Sequence, residues 1–337
     1  MASTLARDVR VELSSPRESA HARSRRRWRI AKRLLSAAFF VVVLGAIAWY
    51  IGSVEWDPVW QSLRTYKTST LLLAGSIAVL HCLLYASFDL LTRPHHAQGL
   101  ARRLMFPVAF TSYTFNMNLG PWIGSLGIRL RQYSRLGFGS AQILRILVFT
   151  TLTNWVGYVF VAGLVFALRP PPVLPEDWPI GVATLRAIGF VLLGVVATYW
   201  AVCAFSPRRT FTIHKLHIRL PSGHMAVLQA VLAGTNWLLI ALVAWLVLRG
   251  IAPFESVVAT ILLAAVAGTL VHIPGGLGVV EAVILAVLGG DVPRHEMVAA
   301  LVVYRAIYYL WPFALGVITF ATVETLARRK ARLAAAG

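Results

Sequence analysis

Six apolar runs, roughly 34–51, 69–92, 141–168, 180–205, 225–248 and 297–323, limit what this chain can fold into. Most approach or exceed the roughly 20 residues that a helix needs to cross a bilayer. In hydrocarbon every backbone amide and carbonyl must find an internal partner, so runs of this kind fold as helices. With 58% of the 337 residues hydrophobic and 13% charged, little remains for a soluble domain. The reading is an all-α polytopic membrane protein.

Two further apolar stretches, 104–128 and 256–290, are broken from within. The second carries HIPGGLGVVE, His272 to Glu281. Pro274 removes an amide donor there, and Gly275, Gly276 and Gly278 loosen the backbone. The first carries NMNLGPWIGSLGIRLRQYSRLG, Asn116 to Gly137, in which Gly120, Pro121, Gly124 and Gly127 interrupt the helix. A break at membrane depth is tolerated against protein or a water-filled cavity. A plain loop joining two short spans is the other reading of such punctuation. Length favours the first. Gly120 to Ile128 is nine residues and Leu277 to Leu288 is twelve. At 1.5 Å per residue either falls short of a core about 30 Å thick. The expectation is six full transmembrane helices plus two re-entrant hairpins.

Charge then threads the chain. Lys and Arg number 32 against 13 acidic residues. In a soluble protein that excess points to nucleic acid. Here it reads as an orientation signal and an attraction to anionic headgroups, with no nucleic-acid partner. The N-terminal 33 residues, 92–103, 129–135, 206–224 and the C-terminus together hold 24 basic residues, and the opposite loops hold 5. By the positive-inside rule both termini are cytoplasmic. Residues 1–33 read as a basic, disordered cytoplasmic tail, 34–326 as the membrane domain, and 327–337 as a short basic tail. A span–hairpin–span order over 69–168 recurs over 225–323. Its corresponding starts, 69 with 225 and 141 with 297, are 156 residues apart. The two hairpins enter from opposite sides, which is an inverted-topology repeat.

Candidate chemistry gathers at the breaks. Asn116 and Asn118 suit freed backbone groups or a polar headgroup. Arg129, Arg131 and Arg135 read either as phosphate forks or as plain cytoplasmic anchors. Two acidic residues lie well within apolar runs, Asp89 and Glu281. Asp89, near the cytoplasmic end of its span, reads as reaching the interface. Glu281 and Arg305 lie deeper, where a lone charge is expensive. They either pair with one another or divide a headgroup between them, Glu281 facing a cation and Arg305 a phosphate. Tyr304, Tyr308, Tyr309 and Trp311 read as packing or interface anchors. Cys82 and Cys203 sit singly in apolar runs, and His214 and His217 fall in a basic loop. No Walker loop, HExxH, GxSxG elbow or close carboxylate pair appears, so neither cofactor nor metal is expected and transport is favoured over catalysis.

The pattern of Gly120 to Gly137, Pro274 to Glu281, then Tyr304, Arg305 and Pro312 resembles the membrane domain of lysylphosphatidylglycerol synthetases. The likeness is strongest to the stand-alone, flippase-like inner-membrane members and covers roughly residues 30–325. It implies a bacterial-type inner membrane and a phospholipid, aminoacylated or anionic, moved between leaflets. It also implies a partner enzyme that modifies the lipid, since the family's soluble aminoacyltransferase domain is not found in these 337 residues. Taken with the residues above, it gives a candidate substrate-binding set. The set is Asn116, Asn118, Gly120, Gly124, Arg129, Tyr133, Pro274, Gly275, Gly276, Gly278, Glu281, Tyr304 and Arg305. Some relatives are grouped with lipid-linked sugar transferases, so a membrane-embedded transferase stands as the alternative. A non-catalytic envelope scaffold is a third reading.

Overall fold

A computed structural model describes residues 56–92, 102–171, 181–207, 209–213, 216–271, 274–290 and 292–336. The run expected to form the first span, 34–51, and the basic N-terminal tail lie outside the described residues. The described residues begin with a short helix α1 (Trp56–Arg64) and a long one, α2 (Thr68–Leu91). A helical hairpin follows: α3 (Arg102–Gly120), a π-helical turn (Pro121–Gly127) and α4 (Ile128–Arg135). Then come α5 (Ser140–Leu168) and α6 (Val182–Phe205). A two-stranded antiparallel hairpin, β1 (Thr210–Ile213) and β2 (Leu216–Arg219), joins α6 to α7 (Gly223–Val247). A second helical hairpin pairs α8 (Phe254–Val271) with α9 (Val279–Leu288) across a 3-10 turn (Pro274–Gly276). The last span is α10 (Arg294–Tyr304), a π-helical turn (Arg305–Leu310) and α11 (Trp311–Ala336).

The apolar runs become helices whose outer faces stay apolar. On α2, Ala74, Ala78, Cys82, Tyr85 and Phe88 are buried at helical spacing, while Leu72, Leu73 and Leu80 point outward. An outward Leu stripe suits lipid, where burial offers no hydrophobic gain and small residues let helices approach. Gly157 shows that approach. A Cβ there would lie 2.3 Å from the Cβ of Ala233, so α5 and α7 pack backbone to backbone. Gly189 meets the backbone of Phe166 and Ala167 in the same way, drawing α6 onto α5.

Five expected spans are present, as α2, α5, α6, α7 and α10–α11. Among the described residues six helices are long and apolar enough to cross a membrane, and the sixth is α8. That helix belongs to the expected second hairpin. At 18 residues it is about 27 Å long, so the re-entrant reading of 256–290 rests on its return arm. That arm, α9, has 10 residues and is about 15 Å long. The first hairpin also differs from expectation. Residues 121–127 form its π-helical turn, and the return arm is α4, which holds the arginines assigned from sequence to a cytoplasmic loop. The basic loop 206–224 contains the β-hairpin, and α11 continues through the expected C-terminal tail to Ala336.

Candidate functional site

The two hairpins start from opposite ends of the bundle and their tips meet. Each tip is made by glycine in the left-handed region. Gly120 has φ +79, Gly275 φ +65, Gly276 φ +57 and Gly278 φ +80. A Cβ on Gly275 would lie 3.3 Å from the Met117 carbonyl oxygen and 3.7 Å from that of Asn118. Asn118 Nδ2 donates to the carbonyls of Thr114 (3.0 Å) and Tyr309 (3.3 Å), so it ties the first tip to the last span. Asn116 Oδ1 is buried nearby and accepts no hydrogen bond among the described residues. Gly124 is needed for space and not for its backbone angle: a Cβ would sit 2.2 Å from the Asn116 amide nitrogen. At Gly120 the reverse holds, with open space and a positive φ.

Glu281 and Arg305 are paired at the second tip. Arg305 Nε donates to Glu281 Oε1, and Nη2 donates to Oε2 at 2.9 Å. The same guanidinium donates from Nη1 to the Gly275 carbonyl (2.6 Å) and from Nη2 to the Gly276 carbonyl (3.1 Å). Arg305 therefore closes the carbonyls freed by the break. Glu281 works at the other end of the turn, accepting the Gly278 amide at 2.9 Å to start α9. The Tyr309 ring lies beneath the guanidinium, 4.2 Å from centroid to carbon. Their side chains are 21% (Glu281) and 17% (Arg305) exposed, so the pair is accessible at its edge. Tyr304 is buried, stacked on Tyr308 at 5.1 Å, and Tyr308 stacks in turn on His81 at 5.0 Å.

Arg129 and Tyr133 belong to a different cluster. Arg129 donates to both carboxylate oxygens of Asp89, Nη2 to Oδ1 at 2.8 Å and Nε to Oδ2 at 3.1 Å. Its Nη1 donates to Ser125 Oγ at 2.6 Å. Tyr133 and Thr150 hydroxyls donate to Asp89 at 2.8 and 2.7 Å. The pair is shut off from solvent, with side chains 1% and 0% exposed. Asp89 thus does not reach the interface, and Arg129 is not a surface fork. The buried pair, with both Asp89 oxygens satisfied, joins α2, α4 and α5. Arg131 and Arg135 remain half-exposed and both donate to Glu324 on α11. Sequence reasoning passed over Asp89 as a partner, together with Ser125 and Thr150. The available signal was two unlike charges in one repeat half, the same signal that singled out Glu281 and Arg305.

The architecture has known counterparts in sequence. A family model for the lysylphosphatidylglycerol synthase TM region matches residues 33–316. The inner membrane protein YbhN of Escherichia coli is 37% identical over 308 residues, which cover 91% of this chain and 96% of that protein. The uncharacterized protein slr0712 of Synechocystis is 26% identical over 307 residues, covering 90% and 95%.

Proposed function

The chain belongs to the lysylphosphatidylglycerol synthase transmembrane family, and we propose that it binds a phospholipid and moves it between the leaflets of an inner membrane. The observation that carries this reading is the meeting of two glycine-broken hairpin tips at a partly exposed ion pair. Transporters built from inverted repeats place their substrate sites at such junctions of discontinuous helices. An intramembrane charge pair that solvent or headgroup can touch has a use beyond packing. The hairpins are re-entrant in this reading. A headgroup arriving at the junction meets Glu281 and Arg305 side by side. The aminoacylated or anionic character of the lipid, and a lipid-modifying enzyme as partner, follow from the family resemblance.

A leaflet-resolved assay with labelled phospholipid in reconstituted vesicles tests it. The wild type is expected to transfer label between leaflets faster than protein-free vesicles. The double variant Glu281→Gln/Arg305→Gln keeps two hydrogen-bonding amides and should fold yet lose transfer. A folded and fully active double variant would sink the role of the pair.

A further inference from the structure

A second site lies away from the hairpin tips, at one end of the bundle. Helix α1, the turn before α2, the segment just after α7 and the start of α10 line a cavity of about 420 Å³. That is within the size range of small-ligand pockets. Its polar lining includes Gln61, Ser62, Tyr66, Arg249, His295 and Glu296. Trp56 and Trp60 on α1 are exposed at 39% and 58%. Exposed Trp on a short helix beside a bundle marks headgroup depth, so the cavity opens at the membrane interface.

Arg249 is the unusual residue. Its φ is +54, the one positive value outside glycine among the described residues, although Gly250 follows it. Such backbone is unfavourable for a side chain and persists where something else requires that side chain. Here the guanidinium is held in place. Nη1 donates to Thr65 Oγ1 at 2.7 Å, and the group lies 4.9 Å from the centre of the Tyr66 ring. The Tyr66 hydroxyl donates to the Val247 carbonyl at 2.8 Å. Burial, against the opposing pull of Arg249, pushes this phenol up to about 12, so it stays a neutral donor. The cavity thus presents a fixed cation and, from α10, the Glu296 carboxylate.

From this we infer that the cavity binds a zwitterionic phospholipid headgroup, with Arg249 on the phosphodiester and Glu296 on the ammonium. Gln61 and Ser62 supply neutral donors to the remaining phosphate oxygens. The inference rests on the lipid-handling reading but not on the aminoacylated or anionic lipid that the family resemblance implies, and it makes the cavity a headgroup station distinct from the tip junction.

The test uses the full chain in vesicles of phosphatidylethanolamine and phosphatidylglycerol, with a photocrosslinking residue at Pro58 on the cavity wall. Crosslinked lipid is identified by mass spectrometry. Phosphatidylethanolamine is expected severalfold above its share of the bilayer. Arg249→Gly and Glu296→Gln should each return it to that share. Because glycine adopts this φ freely, Arg249→Gly should melt no lower than wild type. Free phosphoethanolamine, added at saturating concentration, separates headgroup recognition in a lipid from recognition of the soluble ester; competition supports the site in either case. Crosslinking in proportion to the bilayer, or enrichment of phosphatidylglycerol, would overturn the proposal. So would an Arg249→Gly variant that melts lower while keeping the enrichment, since Arg249 would then be a structural pin. Enrichment without transfer between leaflets would leave this site standing and remove the transport reading. Transfer without enrichment would do the opposite.

Discussion

Arg305 does three things with one guanidinium, and Glu281 does two with one carboxylate. That asymmetry separates their variants. Arg305→Gln leaves Glu281 and the carbonyls of Gly275 and Gly276 short of donors at once. Breaking a buried pair by removing one partner costs about 3–5 kcal/mol, and slight exposure of this pair sets it at the lower end. Glu281→Gln spares both carbonyl bonds and should cost about 1–3 kcal/mol, the range for stranding one buried partner. Thermal unfolding of both variants in one detergent should rank Arg305→Gln as the less stable; equal or reversed melting points would refute the closure of the break by Arg305. The pair itself was readable from sequence, because two lone charges in apolar runs demand partners. Its bonds to glycine carbonyls were not, since they depend on where the chain reverses. Asp89 was misjudged for the same reason. Distance from a helix end was read as depth, whereas α4 folding back brings Arg129 onto it.

The first hairpin turns by two different means. At Gly124 any side chain collides with the backbone of the outgoing arm. At Gly120 a side chain has room but must adopt φ +79. With ψ 175 this is backbone almost reserved for glycine, and an L-residue held there costs about 1–3 kcal/mol. Gly120→Ala should therefore fold with a modest loss in melting temperature. Gly124→Ala should open the hairpin, read as a larger loss or as new protease cleavage between α3 and α4. If the two alanine variants melt alike, the reversal does not depend on the close approach at Gly124. The positions of both breaks were legible because glycine and proline stand out in apolar sequence. Which glycine supplies an angle and which supplies space was not, because sequence carries no distances. The arm lengths differ likewise: the count from Gly120 to Ile128 covers the first turn and not the return arm, α4.

At the scale of the molecule the charge count and the contacts agree on which loops share an end. Tyr66 bonds to Val247, Arg249 to Thr65, and α10 starts beside them. Arg131 and Arg135 meet Glu324 near the far end of the last span. These are the two loop sets that the basic residues separate. A cysteine placed at Ser222, with Cys82 and Cys203 removed, should react with an impermeant reagent from the cytoplasmic side alone. One placed at Gln61 should react from the outside. Labelling of both from one side would undo the inverted repeat. Periodic apolar runs made the spans legible, and the basic residues sort the loops into the same two sets that the contacts bring together. The β-hairpin at 210–219 was hidden in a segment whose basic residues invited a loop.

The pairing inside the bundle has an electrical consequence. Asp89 with Arg129, and Glu281 with Arg305, each sum to zero. A transmembrane potential does work of about 2.3 kcal/mol per elementary charge per 100 mV. A rearrangement that keeps either pair together carries no net charge through that field. In the proposed transport cycle these two pairs should then add no voltage dependence of their own, and sensitivity should change with the charge of the lipid carried. Imposing potassium diffusion potentials of either sign on loaded vesicles, with neutral and charged labelled lipids compared, reads this directly.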